Sequence, residues 1–198
     1  MKNNGVISIL ITFAVMLCIN AINASPAFAE EKGDIAAAVI SPKDEISFLY
    51  QRQTGMGSNQ FAIWIEDSSS KYIKTLYATR FTASGGWQRR PQSLPGWVKA
   101  SQPLNIPSGE IDAITGATPS AGSLTYVWDC KDNQGNLVPA GEYKYIVEAT
   151  LRMNNRVLYS GTIKTGGQAQ QSPAAGEFFG DSELERGMIT SVAAKYYP

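Results

Sequence analysis

Gly141-Glu142-Tyr143-Lys144-Tyr145-Ile146-Val147-Glu148-Ala149-Thr150-Leu151 sets a two-residue rhythm. Tyr143, Tyr145, Val147, Ala149 and Leu151 fall on one side of the repeat; Lys144, Ile146, Glu148, Thr150 and Arg152 fall on the other. Aromatic and β-branched residues at alternate positions suit a pleated, half-buried surface better than a helix. Ahead of this strand, Leu124-Thr125-Tyr126-Val127-Trp128 reads as another, reached through two turn signals, Asp132-Asn133-Gln134-Gly135-Asn136 and Pro139-Ala140-Gly141. Behind it, Asn154-Asn155 reads as a tight turn and Val157 to Ile163 as the returning strand.

The same rhythm recurs toward both ends. Ile46, Phe48 and Tyr50 alternate with Ser47, Leu49 and Gln51, and Phe61, Ile63 and Ile65 with Ala62, Trp64 and Glu66. The polar turn Asp67-Ser68-Ser69-Ser70-Lys71 then leads into a run marked by Ile73, Tyr77, Thr79 and Phe81, which predicts a hairpin. Met188 to Tyr197 is the expected last strand. Three stretches break the pattern. Gly85 to Lys99, with Trp87, Arg89, Arg90 and Trp97, reads as an ordered loop or a short helix after Pro91; Ser101 to Gly122 reads as a long loop rich in Pro, Gly, Ser and Thr; residues 164–176 read as a flexible loop.

Lys2, an apolar run from Val6 to Ile19 and the small-residue exit Ala27-Phe28-Ala29 form a secretory signal peptide over residues 1–29. The exit and the polar start Glu30-Glu31-Lys32 favour removal over a permanent anchor, leaving no expected membrane span. Cys18 does not indicate a lipoprotein, because Leu17 stands where such sites need a small residue. Residues 30–42 read as a flexible tether and residues 43–198 as one domain.

Basic and acidic residues number 17 each, and the leader carries one of the bases and no acid, so neither nucleic acid nor a polybasic membrane role is indicated. The chain holds no histidine, which removes the commonest general base and the usual zinc ligands; no metal site is expected. Asp129, Asp132 and Gln134 before Gly135 do not make a calcium loop, since Cys130 takes the first ligand position and no closing carboxylate follows. Cys130 itself reads as a buried thiol. No base, metal cluster and nucleophile converge, so catalysis by this chain alone is not expected.

Trp128-Asp129, Asp132, Gly135 and Val138-Pro139-Ala140-Gly141-Glu142-Tyr143 resemble the Ig-like domain of the flagellar hook-capping protein FlgD, with Cys130 in the usual Gly position. That resemblance covers residues 124–163. It implies an all-β, Ig-like or fibronectin-III-like antiparallel β-sandwich carrying one long Trp/Pro/Gly-rich loop region, and implies little about function.

Asp112-Ala113-Ile114-Thr115-Gly116-Ala117-Thr118 is similar to the acceptor motif of periplasmic FMN-binding proteins, Asp-x-x-Ser/Thr-Gly-Ala-Thr, found in electron-transfer subunits of sodium-pumping and Rnf-type complexes. There a flavin transferase uses FAD to place FMN on the last Thr as a phosphoester. The resemblance implies attachment at Thr118, with Asp112, Thr115, Gly116 and Ala117 forming the recognised segment. The mature chain also resembles a family of predicted periplasmic proteins of unknown function that tends to be encoded beside flavin transferases and PepSY-type membrane reductases, which become the expected partners.

Two functions follow. One is an exported electron carrier with FMN on Thr118, on whose ring Trp87, Trp97 and the Arg89-Arg90 pair are candidates to stack or balance charge. The other is a non-enzymatic Ig-like adaptor whose segment Trp87, Arg89, Arg90 and Trp97 engages a protein partner, since Trp and Arg carry much interface energy. The structural alternative is that Trp87 and Trp97 plug the open end of the sandwich while the Arg stems lie across aromatic faces.

Overall fold

A computed structural model describes residues 42–53, 58–116, 118–150, 155–180 and 187–198. The signal peptide and nearly all of the tether lie outside these residues, as do Ala117, Leu151, Arg152 and Asn154 of the expected motif, strand and turn.

The chain forms two facing sheets, so the expected β-sandwich is what it builds. One sheet has four strands in the order β5-β1-β10-β8: β1 (Lys43–Tyr50), β5 (Gly122–Trp128), β8 (Gln170–Pro173) and β10 (Ile189–Tyr197). The other has six in the order β4-β3-β2-β6-β7-β9: β2 (Gln60–Asp67), β3 (Tyr72–Thr79), β4 (Thr115–Gly116), β6 (Gly141–Thr150), β7 (Arg156–Thr165) and β9 (Ala175–Phe179). All pairings are antiparallel except β3 with the short β4. The stretch 164–176, expected to be a flexible loop, ends β7 and supplies β8, which adds to β10 through Ala194 opposite Ser172.

The two-residue rhythm maps onto the main core. Tyr143, Tyr145, Val147 and Ala149 of β6 meet Phe61, Ile63 and Ile65 of β2 and Ile46, Phe48 and Tyr50 of β1 there. Phe61 is ringed by Phe48, Tyr50 and Tyr77 at centroid distances of 5.8, 5.3 and 4.8 Å. Residues 128–143 hold the β5–β6 connection. The Trp128 indole donates to the Lys131 carbonyl at 2.8 Å, the Tyr143 hydroxyl donates to the Pro139 carbonyl at 2.8 Å, and the two rings meet edge-on at 5.1 Å. Asp132 Oδ1 accepts the amides of Gln134 and Asn136, each at 2.9 Å. Cys130 has φ +53°, the left-handed conformation that Gly adopts without a Cβ penalty, which is why Gly suits this position.

The six-stranded sheet is covered on its other face as well. On β6, Ile146, Glu148 and Thr150 point away from the main core and are nevertheless buried. Residues 82–114 lie over them as short helical pieces: a kinked turn Thr82–Gly86, α1 (Trp87–Arg89), α2 (Pro95–Ser101), a 3-10 turn Pro103–Asn105 and α3 (Ser108–Ile114). Ala83, Leu94 and Trp97 from this layer join Ala62, Trp64, Ala78 and Ile146 from the sheet in a second core. Ser101 to Gly122 is thus not the structureless loop expected. Its pieces are too short for an amphipathic repeat to be visible, and Pro103 and Pro107 interrupt it at helix starts, where a missing N–H costs nothing. Among the described residues no helix is long and apolar enough to cross a membrane.

Candidate functional site

The helical layer is fastened to the sheet by one carboxylate. Glu148 is fully buried and accepts the backbone amides of Gly96 at 3.0 Å and Trp97 at 2.8 Å, the free N–H groups at the start of α2. Arg156 Nη1 lies 3.3 Å from the same carboxylate, and its guanidinium stands over the Phe179 ring at 3.9 Å. Burial pushes the Glu148 carboxyl above its ordinary range, and the two amides and Arg156 pull it back. The Trp97 indole donates to Thr75 Oγ1 at 2.9 Å. A second polar knot joins Gln60 Oε1 to the hydroxyls of Thr79 and Thr82 at 2.6 and 2.9 Å, with Ser93 2.6 Å from Thr82.

These contacts correct two expectations. Trp97 is fully buried, so it is neither a partner-binding residue nor a platform for an external ring. Nor does it plug an open end of the sandwich: it fills the layer over the outer face of the six-stranded sheet. Sequence reasoning missed Glu148, whose one signal was a carboxylate placed between Ile146 and Thr150 on a face assumed to be wet.

The other expected residues sit at the surface of the layer. Arg89 is exposed, and its guanidinium stands over the Phe81 ring at 5.9 Å. Arg90 reaches the Ser58 carbonyl at 3.3 Å, and burial lowers its pKa. Trp87 is half-buried and lines a cleft of about 470 Å³ together with Ala83, Gly85, Leu104, Ile111 and Asp112. A smaller hollow of about 300 Å³ adjoins, also walled by Trp87 and Leu104. Leu104 is 72% exposed and forms an apolar lip.

The Asp112–Thr118 run crosses from helix to strand beside that cleft. Asp112 stands in the last turn of α3, exposed, 3.8 Å from Arg80 Nη2. Thr115 Oγ1 turns back to the Asp112 carbonyl at 3.5 Å. Thr115 and Gly116 then pair with Ala78 and Thr79, which ties the run to the edge of the sheet. A Cβ on Gly116 would stand 3.3 Å from Tyr77 Cε2, so the smallest residue lets the chain lie close to that ring. Thr118 follows, exposed. Of the run, Asp112 lines the Trp87 cleft, Thr115 and Gly116 lie along β3, and Thr118 is exposed. Among the described residues, His, Cys, Asp and Glu side chains nowhere gather in threes as a metal site would need.

Comparison with curated proteins and with solved structures gives no match. A family model described as predicted periplasmic protein matches residues 45–181, a span that takes in the helical layer, most of β1 and every strand from β2 to β9. An exported location agrees with that description. The match extends over most of the sequence, and the chain belongs to the DUF2271 family of predicted periplasmic proteins.

Proposed function

We propose that this protein is a periplasmic electron carrier with FMN held covalently at Thr118, attached by a separate flavin transferase and working with a membrane reductase of the PepSY type. The observation that carries the reading is the presentation of the acceptor-like run. Its last residue, Thr118, is exposed two residues beyond a segment tied to β3, and its first, Asp112, lines a cleft within the size range of small-molecule sites, about 300–1,000 Å³.

In the transfer, the Thr118 oxygen forms a bond to the phosphorus on the FMN side of the FAD pyrophosphate. The bond from that phosphorus to the bridging oxygen breaks, AMP departs, and the hydroxyl proton passes to a base of the transferase. The chain needs no base of its own for this, consistent with a sequence that lacks histidine. Thr118 supplies the hydroxyl, and Gly116 keeps the approach uncrowded. Asp112, with Arg80 at 3.8 Å, offers a polar handle for recognition. Once bound, the flavin supplies the electron-transfer chemistry. The chain's part is to hold and orient it and to present it to partner proteins.

Intact mass of the protein exported from a host containing a flavin transferase tests the proposal, with Thr118→Ala as control. The expected result is one FMN per chain, lost in Thr118→Ala. An unmodified mass without flavin fluorescence refutes the carrier, and FMN that survives Thr118→Ala refutes the site. The adaptor alternative loses Trp97 as an anchor and would rest on Trp87, Arg89 and Arg90 with the exposed Leu104.

A further inference from the structure

The Trp87 cleft is a feature of the described surface that the fold itself does not explain. Its walls come from the kinked turn with α1 on one side, and from the 3-10 turn with α3 on the other. Each wall offers apolar surface: Ala83 and Trp87 on the first, Leu104, Ile106 and Ile111 on the second. Polar groups, Gln88, Ser108 and Asp112, stand among them. Among the described residues the Trp87 indole makes no hydrogen bond and no ring contact, although the ring is half-buried. A half-buried indole beside open space is a platform for a flat aromatic group, which gains from stacking in addition to its burial.

We infer that this cleft seats the isoalloxazine ring of the flavin, its apolar end against Trp87 and Leu104 and its hydrogen-bonding end toward Ser108 and Asp112. The inference rests on the carrier reading above. Reach supports it. Asp112 belongs both to the cleft wall and to the acceptor-like run, and Thr115 folds back onto it at 3.5 Å. Thr118 lies three residues farther on, so its Cα is at most about 11 Å from that of Thr115. The ribityl-phosphate arm is the flexible link from Thr118 to the ring. The half-buried indole, the mixed lining and the shared Asp112 all point to the same hollow. A ring seated there is shielded on one face while its edge at the Leu104 lip stays open to a redox partner.

The test uses the full-length exported protein loaded by a co-expressed transferase, with intact mass establishing one FMN per chain in the wild type, Trp87→Leu and Leu104→Asp. A flavin stacked on an indole is quenched, and the sequence's three other tryptophans, Trp64, Trp97 and Trp128, are buried. The wild type is therefore expected to be dim. Trp87→Leu should be several-fold brighter and more open to quenching by iodide, and Leu104→Asp should lie between the two. Equal brightness and iodide access in all three proteins, with FMN attached, overturns the cleft assignment and leaves the carrier standing. Absence of FMN from the wild type overturns both. If Trp87→Leu fails to fold, Leu104→Asp at its exposed position decides the matter by the same two readouts.

Discussion

Replacing Glu148 by Ala strips the Gly96 and Trp97 amides of their acceptor and leaves Arg156 without its carboxylate. A hydrogen bond to a charged group contributes about 1.5–3 kcal/mol, and breaking a buried ion pair from one side costs about 3–5 kcal/mol. The two figures overlap, because the same carboxylate serves all three donors. The Arg156 side chain keeps 22% of its exposure and the face of Phe179, so part of its charge stays solvated. The net loss is therefore set at about 3–5 kcal/mol. With a urea dependence of about 2 kcal/mol per M, the unfolding midpoint should fall by about 2 M. Glu148→Gln, which keeps the shape and one acceptor oxygen, should lose roughly half as much. Hydrogen exchange localises the effect: the amides of Gly96 and Trp97 should lose protection ahead of those in β2 and β6. A loss below about 1 kcal/mol, or unchanged protection at those two amides, would refute the assignment of Glu148 as the fastening of the helical layer.

Gly161→Ala should cost about 1–3 kcal/mol in thermal or urea unfolding, because the added Cβ lands on the phenol of Tyr145, which donates to the Ser172 carbonyl at 2.6 Å and braces β8; a neutral result would contradict that packing. Asp44 is fully buried and its carboxyl is pushed up to about 7 by burial, so the folded chain holds this proton more tightly than the unfolded one. Stability should therefore be greatest below about pH 4 for this group and decline as pH rises toward 7, and the wild type minus Asp44→Asn difference should show that slope; no difference across the window refutes it. In the protein without residues 1–29, the Cys130 thiol, 2% exposed and pushed up to about 12, should resist alkylation while native and react once per chain on unfolding, whereas rapid native labelling would show that it is reachable.

The sandwich was legible because its strands carry their burial in alternate residues: Tyr143, Tyr145 and Val147 announce one face of β6, and Phe61, Ile63 and Ile65 one face of β2. The same rhythm misled on the opposite face. Lys144, Glu148 and Thr150 suggest water, yet Glu148 and Thr150 are buried, because a carboxylate with three donors is compatible with burial in a way that composition does not reveal. The covering layer was harder still. Its helices α2 and α3 run seven residues each, shorter than the repeat needed to display a stripe, and Leu94 and Gln102 bracket α2 in left-handed conformations that neither residue type signals. Of the site, the acceptor-like run and Trp87 were visible as residue types. The cleft joining them was not, because it exists only where residues 83–88 and 103–112 come together.

The single carboxylate that fastens the helical layer also orders events in time. Glu148 lies 51 residues after Trp97, so a chain emerging from its N-terminus into the periplasm exposes the whole 82–118 segment before the residue that clamps it has arrived. During that interval the layer lacks its Glu148 clamp, and Thr115 and Gly116 have only β3 to pair with. β6, pairing later with β2, brings Glu148 to the Gly96 and Trp97 amides and draws the layer down onto the sheet.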